Sequence, residues 1–393
     1  MPWKECSKVD EKIRFVSRHL GGESIAALCR EFGISRVTGH KIISRYEKHG
    51  LDAFKELSRR PYRQANKLPF QLEKLIVSLK QEKPHWGAPK IREMLIKRFP
   101  DIRHPPACST VHAVLDRNGL VERRKRRNPE RSSRLATDLR EGEFPNDLWC
   151  ADYKGEFMLG SREYCYPLTI TDHKSRYLIA CEALHSTEEA YAITVFEDIF
   201  KEYGLPNAIR TDNGVPFSSP NALYGLSRLS VWWLRLGIRV ERIEPGKPQQ
   251  NGRHERMHLT LKKEATRPAE ESFLRQQARF DAFQQEFNHE RPHQALEMKC
   301  PGELFQKNTK PYTGLPELNY PLHDLTVRIT HCGRICIGRK KFNLSRAFAG
   351  HDVGVNEVSD GIWLVSFMDY DIGYFDEDNC RVEPIENPFV YRV

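Results

Sequence analysis

The sequence predicts a multidomain protein, with N-terminal all-α helix-turn-helix units, a central α/β domain and a C-terminal small β-barrel. The chain has 393 residues, enough for two to four domains. Apolar residues recur at helical spacing in the first third of the chain, and strand-like runs begin near residue 146. Short alternating runs then fill residues 325–393. The spacing of apolar residues changes along the chain, and these changes mark the boundaries between the three kinds of domain.

The composition excludes several classes of protein. Hydrophobic residues make up 39% and charged residues 29%, which is typical of a globular chain. No apolar run is long enough to span a bilayer, and the N-terminus lacks the apolar core of a signal peptide. The ten cysteines include no Cys-x-x-Cys pair, which disfavours a zinc ribbon or a disulfide scaffold. We therefore expect no membrane partner and a cytoplasmic location.

Positive charge is concentrated at the N-terminal end. The net charge is +9, but residues 1–140 contain 32 Lys and Arg against 16 Asp and Glu. Residues 141–393 contain 30 against 37. A basic N-terminal part and an acidic remainder favour nucleic-acid binding by residues 1–140 and a different function for residues 141–393. The alternative is that the segregation only reflects solvated helix faces.

Residues 1–57 are predicted to form a helix-turn-helix DNA-binding domain. Apolar residues from Ile25 to Phe32 follow helical spacing, Gly33 provides a turn, and Ser35 can cap a second helix. Four polar side chains of that helix are predicted DNA contacts: Arg36, Thr38, Lys41 and Arg45. A plain three-helix bundle is the alternative, since many helical hairpins share the pattern.

Residues 69–127 are predicted to form a second helical DNA-binding domain with a basic tail, after a polar linker at 58–68. Ser109 is expected to cap its third helix, which stops at Gly119. The tail is Arg123-Arg124-Lys125-Arg126-Arg127, whose mutual repulsion DNA phosphates would relieve. A solvated flexible linker is the alternative for this tail.

Residues 143–306 are predicted to form the α/β domain, in the order three strands, helix, strand, helix, strand, helix. The strand runs are Leu148–Phe157, Tyr164–Asp172 and Leu178–Leu184, with a hairpin around Gly160-Ser161. Helices are expected over Leu223–Leu236 and over Asn251–Ala265. Residues 307–324 are interpreted as a linker, and residues 325–393 as the small barrel.

Three carboxylates stand in unusual settings. Asp152 lies inside the first strand, Asp212 follows a short strand in an Asp-Asn-Gly turn, and Glu255 lies near the start of a helix. If they converge, they repel one another and raise their own pKa values, and a divalent cation removes that cost. Hard oxygen ligands select Mg²⁺ or Mn²⁺. Lys247, Gln249 and Asn251, just before the helix, are predicted DNA contacts; an ordinary polar loop is the alternative.

These segments resemble a known family. Trp149–Gly155, the Asp212 turn, Pro245–Glu255 and Arg291-Pro292-His293 are similar to the catalytic core of the retroviral-integrase superfamily. Within it they resemble DDE transposases of bacterial insertion sequences, in particular the IS-four-eighty-one group. The resemblance implies an RNase H-like fold and an Asp-Asp-Glu triad that binds two Mg²⁺ or Mn²⁺ ions. Its catalytic and metal-binding residues would be Asp152, Asp212 and Glu255.

The implied function is a transposase that cleaves and joins DNA strands at the ends of an insertion sequence. Its partners would be double-stranded DNA, both the terminal inverted repeats and the target DNA, and it would act as a homodimer or higher oligomer. Its location would be bacterial, cytoplasmic and nucleoid-associated. Two alternatives stay open: a catalytically silent DNA-binding regulator derived from a transposase, and a metal-dependent nuclease that does not join strands.

A second motif overlaps the last carboxylate. His254-Glu255-Arg256-Met257-His258 has the His-Glu-x-x-His form of zinc metalloproteases. Arg256 places a cation between the two candidate ligands, and no third ligand is evident. We therefore expect Glu255 to be a metal ligand of the triad, and the two histidines to be packing or DNA-facing residues.

Overall fold

The structure is a computed structural model, and it describes residues 7–55, 68–122, 139–220, 222–244, 246–377 and 381–387. The chain divides into two compact units, residues 1–68 and 69–393. The helices are α1 (Lys8–Leu20), α2 (Ile25–Glu31), α3 (Arg36–His49), α4 (Phe70–Glu82), α5 (Ala88–Arg98), α6 (Cys108–Arg117), α7 (Glu189–Tyr203), α8 (Arg228–Arg235), α9 (Gly252–Glu264), α10 (Phe273–Gln285) and α11 (Pro301–Leu304). The basic tail at 123–127 lies outside the described residues.

In the described residues the strands belong to three sheets. They are β1 (Leu148–Tyr153), β2 (Phe157–Met158), β3 (Tyr164–Asp172), β4 (Leu178–Leu184), β5 (Ala208–Thr211), β6 (Arg239–Arg242), β7 (Leu325–Arg328), β8 (Arg334–Ile337), β9 (Lys340–Asn343), β10 (Asp352–Ser359), β11 (Ile362–Phe367), β12 (Tyr370–Asp376) and β13 (Arg381–Pro384). Strands β1–β6 form the central sheet, and the other strands form a five-stranded sheet and a two-stranded hairpin.

The first unit contains the predicted helix-turn-helix. Ser24 and Ser35 cap α2 and α3 through their side chains, and Gly33 turns the chain between them with a φ of +62°. The helices pack closely at Gly39, where a Cβ would lie 2.5 Å from the Cys29 sulfur. This glycine therefore allows α3 to approach α2 and leaves the opposite face of α3 in solvent.

The second helical segment belongs to the second unit. The N-cap position of α6 is Ala107 rather than the predicted Ser109, because the helix begins at Cys108, two residues earlier than expected; no side-chain hydrogen bond caps it. Helices α4 and α5 connect to the rest of the unit by ion pairs: Lys83 to Glu286 at 2.8 Å and Lys97 to Glu303 at 2.6 Å. These three helices are thus docked on the central domain.

The central sheet is mixed. Its strand order is β4-β3-β1-β5-β6, with β2 pairing the start of β3. Strand β3 is antiparallel to β1 and β4, whereas β5 is parallel to both β1 and β6. Two apolar clusters cover its faces: one includes Phe196 and Trp233 of α7 and α8, and the other includes Leu261 and Phe280 of α9 and α10. The central domain is therefore a three-layer α/β/α sandwich.

A buried ion pair joins β5 to β6. Arg210 and Glu241 lie side by side in the sheet with their side chains 3% and 7% exposed, and the Arg210 Nη2 to Glu241 Oε2 distance is 2.9 Å. Arg210→Met is expected to lower the free energy of unfolding by about 3–5 kcal/mol, because it leaves a buried carboxylate uncompensated. Thermal and urea unfolding would measure this change.

The control for this variant is Arg275→Met, which breaks an exposed pair with Glu271. Arg275→Met is expected to lower the free energy of unfolding by at most about 1 kcal/mol. The double variant Arg210→Met/Glu241→Met should recover much of the loss. Equal losses for Arg210→Met and Arg275→Met would contradict the assignment.

The C-terminal strands form an open sheet in the order β13-β12-β11-β10-β7, not a closed barrel, in the part of the chain that the structure describes. The β8–β9 hairpin contacts both edge strands of this sheet. Closure of the barrel therefore stays a prediction. Residues 307–324 are docked rather than free, because Tyr312 and Leu318 pack against the same apolar cluster as Val365 and Phe375 of the sheet.

Within the described ranges, no helix combines the length and the apolar character needed to cross a bilayer. The described cysteines are free thiols.

Candidate functional site

The strand register places two of the three predicted carboxylates side by side. Ala151 of β1 pairs with Thr211 of β5 in parallel register, so Asp152 and Asp212 follow at equivalent positions. Neighbouring positions in parallel register direct their side chains to the same face of a sheet. Strand β1 and the end of β5 thus bring the first two members of the predicted triad to one edge.

The turn after β5 holds Asp212 in place. Its Oδ1 accepts a hydrogen bond from the Gly214 amide at 3.1 Å, and a Cβ on Gly214 would lie 2.9 Å from Oδ2. Asn213 donates from Nδ2 to the carbonyl of Ile243 at 2.7 Å, which ties the turn to the end of β6. The Asp-Asn-Gly sequence therefore shapes the turn around the carboxylate.

Glu255 lies in the first turn of α9, where the positive end of the helix dipole favours a carboxylate. A short 3-10 turn over Pro248–Asn251 leads the chain into this helix. Glu255 is exposed, whereas the Asp152 side chain is 22% exposed. The third predicted carboxylate therefore belongs to a helix, whereas the first two belong to a strand and to the turn that follows a strand.

The three carboxylates interact electrostatically. Burial raises the pKa of Asp152 to about 7, with further increases from the negative charges of Asp212 and Glu255. Lys154 offsets part of this effect. Carboxylate oxygens are ligands of hard divalent cations, and a cation bound between these groups would remove the repulsion.

A second set of donors adjoins Asp152. Among the described residues, the group of three or more donors whose atoms all lie within 4.8 Å of one another is Asp152, His254 and His258. The His258 Nδ1 lies 3.7 Å from the Asp152 Oδ2. This cluster was not predicted as a site, and it could in principle bind a metal through one carboxylate and two imidazoles.

The hydrogen bonds of the histidines argue for packing instead. The Thr169 hydroxyl lies 2.8 Å from His254 Nε2 and 2.7 Å from His258 Nε2, and it donates to the Asp152 carbonyl. The second ring nitrogen of His254 bonds to Thr171 at 2.8 Å. Both nitrogens of His254 are therefore already occupied by threonines of β3.

Both histidines are buried, at 1% and 7% exposure. The DNA-facing option for them is therefore wrong, and they are packing residues. Burial lowers the pKa of His254 to about 3 and that of His258 to about 2, so both are neutral near pH 7.

The predicted DNA contacts occupy different environments. Arg36, Lys41 and Arg45 line a basic groove along α3 together with Lys48 and His49, which the sequence reasoning had not included. Thr38 lies outside this groove, and its hydroxyl bonds to the capping Ser35 at 2.9 Å.

Near the start of α9, Lys247 and Gln249 are exposed. Lys247 pairs with Glu244 at 2.6 Å. Asn251 is 5% exposed, so its side chain has little surface for a DNA contact.

Family comparisons cover most of the chain in separate pieces. Residues 143–248 and 236–301 each match the family described as Integrase core domain. Residues 11–62 match a Helix-turn-helix domain, and residues 38–115 match a Homeodomain-like domain. The predicted N-terminal helix-turn-helix region and central RNase H-like integrase core are thereby confirmed.

The similar curated proteins come from insertion elements and retroviruses. A protein of insertion element IS476 from Xanthomonas euvesicatoria is 28% identical over 45% of this chain and 47% of its own length. One of insertion element IS407 from Burkholderia multivorans is 25% identical over 59% of this chain and 80% of its own. The Gag-Pol polyprotein of feline leukemia virus is 30% identical over 34% of this chain and 7% of its own length. The chain thus spans about half the length of the Xanthomonas relative.

Two solved structures show a partial likeness. The HTLV-2 integrase catalytic core domain in complex with magnesium has a TM-score of 0.33 and 15% identity, over 42% of this chain and 99% of that chain. A chain of the simian T-cell lymphotropic virus intasome has a TM-score of 0.38 and 16% identity, over 75% of this chain and 97% of that chain.

The chain contains an integrase core domain and is similar to proteins of bacterial insertion elements. The resemblance to DDE transposases of insertion sequences, stated from the sequence, is confirmed.

Proposed function

We propose that this protein is a DDE-type DNA transposase that cleaves and joins DNA strands at the ends of an insertion sequence. The observation that carries the proposal is the register of β1 and β5, which sets Asp152 beside Asp212 in a domain that matches the integrase core. Glu255 completes the set, and its charge contributes to the raised pKa of Asp152.

In this proposal Asp152, Asp212 and Glu255 hold two Mg²⁺ or Mn²⁺ ions. Bound there, the ions would activate the attacking oxygen and neutralise charge on the phosphate and the leaving oxygen. The chain's own contribution is to orient three carboxylates from a strand, a turn and a helix. The Gly214 amide donates to the Asp212 carboxylate, and the Thr169 hydroxyl donates to the backbone carbonyl of Asp152.

Two phosphoryl transfers would take place at this one site. In the first, water attacks a phosphodiester at the element end, and the 3′ oxygen leaves as a 3′-OH. In the second, this 3′-OH attacks a phosphodiester of target DNA, and a 3′ oxygen of the target leaves. No covalent bond between protein and DNA is needed in either step.

The remaining parts of the chain are assigned by the same proposal. Residues 1–57 and 69–127 would bind the terminal inverted repeats, residues 143–306 would perform the chemistry, and residues 325–393 would form the small barrel. Holding two element ends together with target DNA requires a dimer or a larger assembly. Such a protein would act in the bacterial cytoplasm, on the nucleoid.

The groove of α3 gives a direct test of the DNA-binding part. Arg36→Gln and Lys41→Gln are each expected to weaken duplex binding at all sequences and to reduce the salt slope by about one, because each removes a phosphate contact. Gel-shift titrations at several salt concentrations measure both effects. Arg14→Gln, on the exposed side of α1, is the matched control. Unchanged slopes in both groove variants would exclude α3 as the DNA-binding element.

The activity itself is tested on DNA that carries the sequences flanking the gene. Purified protein is incubated with this DNA in Mg²⁺ or Mn²⁺, and in EDTA as a control, and products are resolved on a sequencing gel. We expect 3′-end cleavage and joined strands. Cleavage without joining would identify a nuclease, and specific binding without cleavage would identify a regulator.

A further inference from the structure

A cavity of about 90 Å³ lies beside α9 in the second unit. Five residues of α9 line it: Arg253, His254, Arg256, Met257 and Thr260. At 3.6 residues per turn these positions share one face of the helix, and Glu255 falls on the opposite face. The cavity therefore lies on the side of α9 away from Glu255, and its lining residue His254 also belongs to the donor cluster with Asp152.

Positive charge dominates the wall of the cavity. Five cationic side chains line it: Lys90, Arg176, Arg253, Arg256 and Arg291. Among the described lining residues, the one carboxylate is Asp172, whose oxygens already accept hydrogen bonds from Asn146 and Ser175. Asp172 therefore has little capacity left to pair with the cations that surround it.

Two buried polar groups in the wall lack partners. Arg291 is 5% exposed; it pairs with Glu264 through Nη2 and lies over the Trp86 ring at 5.4 Å. Its Nε has no hydrogen-bond partner among the described residues, and neither has the buried Nε2 of His293. Buried polar groups without partners are uncommon in folded proteins, and a ligand or a water in the cavity would satisfy them.

The electrostatics of the wall agree with this picture. Burial and the nearby Arg291 lower the pKa of Lys90 to about 8. Burial, Lys90 and Arg291 lower the pKa of His293 to about 3. The wall therefore disfavours further positive charge, and an anion placed within it would relieve the repulsion.

We propose that this cavity binds one phosphate group. Four cations surround a space the volume of a few water molecules: Arg256 is exposed, Arg176 and Lys90 are half-buried, and Arg291 is buried. This space admits a phosphate oxyanion but not a nucleoside. Guanidinium groups match the oxygens of phosphate in a bidentate fashion, which a chloride ion cannot reproduce.

The phosphate can come from a DNA backbone or from free phosphate in solution. A backbone phosphate bound here would hold DNA duplex beside α9, the helix that carries Glu255. This part of the proposal rests on the proposed function. Binding of free phosphate does not depend on it. Both sources present a phosphate oxyanion to the same cations. Competition between free phosphate and DNA duplex distinguishes them.

The first test is calorimetric titration of inorganic phosphate into the full chain at low ionic strength with EDTA present. Arg176→Gln and Arg256→Gln are each expected to raise the phosphate Kd about tenfold or more, because each removes a charge-assisted hydrogen bond. Neither side chain has a hydrogen bond or ion pair among the described residues, so both variants should melt like the wild type. Arg339→Gln, an exposed arginine of the β8–β9 hairpin, is the matched control.

The second test adds a short duplex to the phosphate complex, again in EDTA so that no cleavage is involved. Displacement of phosphate by the duplex assigns the site to a DNA backbone phosphate, and retention of phosphate assigns it to free phosphate. No measurable phosphate binding, or the same Kd in Arg176→Gln, Arg256→Gln and Arg339→Gln, overturns the proposal. Because catalysis is not measured, failure of the transposase assay and failure of this site are distinguishable.

Discussion

Asp152→Asn is expected to reduce strand cleavage and joining by about a thousandfold or more. The substitution keeps the size of the side chain but removes the negative charge that would hold a divalent cation, and loss of several kcal/mol of transition-state stabilisation has this effect on rate. Asp212→Asn and Glu255→Gln are expected to do the same. Because cleavage and joining share one site, both reactions should fall together.

Initial rates on precut and uncut DNA would measure the two reactions separately. Asp198→Asn and Glu202→Gln, both exposed on α7, are matched controls that should retain full activity. Gel-shift affinity in EDTA should be unchanged in all five variants. Retained cleavage in any of the three triad variants would remove that residue from the proposed catalytic set.

The second large effect is a loss of stability in mild acid. Burial holds five histidines of the second unit neutral, with pKa values lowered to between about 2 and about 4: His173, His254, His258, His293 and His351. In the unfolded chain a histidine binds a proton near pH 6.5. The stability that these groups contribute is therefore complete above pH 6.5 and falls as the pH drops toward the lowered pKa values.

At pH 5 each such histidine is expected to cost about 2 kcal/mol of unfolding free energy relative to pH 7. Melting curves between pH 7 and 5 would show this loss, and His254→Gln should make it smaller. Glutamine can replace one of the threonine hydrogen bonds but does not titrate. His49→Gln, at an exposed position, is the matched control. An identical pH dependence in His254→Gln and wild type would contradict the buried, neutral state of His254.

The sequence predicted the two strands that carry the aspartates because their signals are local. Strand β1 is a run of buried aromatic and β-preferring residues, and Asp212 follows β5 in a turn with an unmistakable Asn-Gly. Helical spacing likewise predicted α2, α3 and the turn at Gly33. Capping residues, turn residues and the spacing of apolar residues are signals within a few neighbouring positions. They can therefore be recognised in the sequence before the fold is known.

The elements that differ from expectation depend on longer-range packing. The run Leu148–Phe157 was predicted as one strand, but it breaks after Tyr153, and β2 begins at Phe157. The predicted helix over Leu223–Leu236 begins only at Arg228, because Tyr224 adopts a φ of +54°. Strands β9 and β13 were not predicted from the sequence.

The environment of the site was harder to predict than its residues. His254, Met257, His258 and Leu261 follow the spacing of a buried helix face, and that signal could have assigned the histidines to the core. Nothing local could have predicted the contact of Thr169 with both imidazoles, because it joins residues more than eighty positions apart. The cationic cavity likewise unites segments that are adjacent only after folding.

The central claim is that divalent cations bind between Asp152, Asp212 and Glu255. The most direct measurement is anomalous diffraction from crystals soaked in Mn²⁺, which locates the ions without reference to activity. The account predicts ions about 2.1 Å from oxygens of these three carboxylates. An ion held by Asp152, His254 and His258 instead, with Asp212 and Glu255 not coordinating, would contradict it.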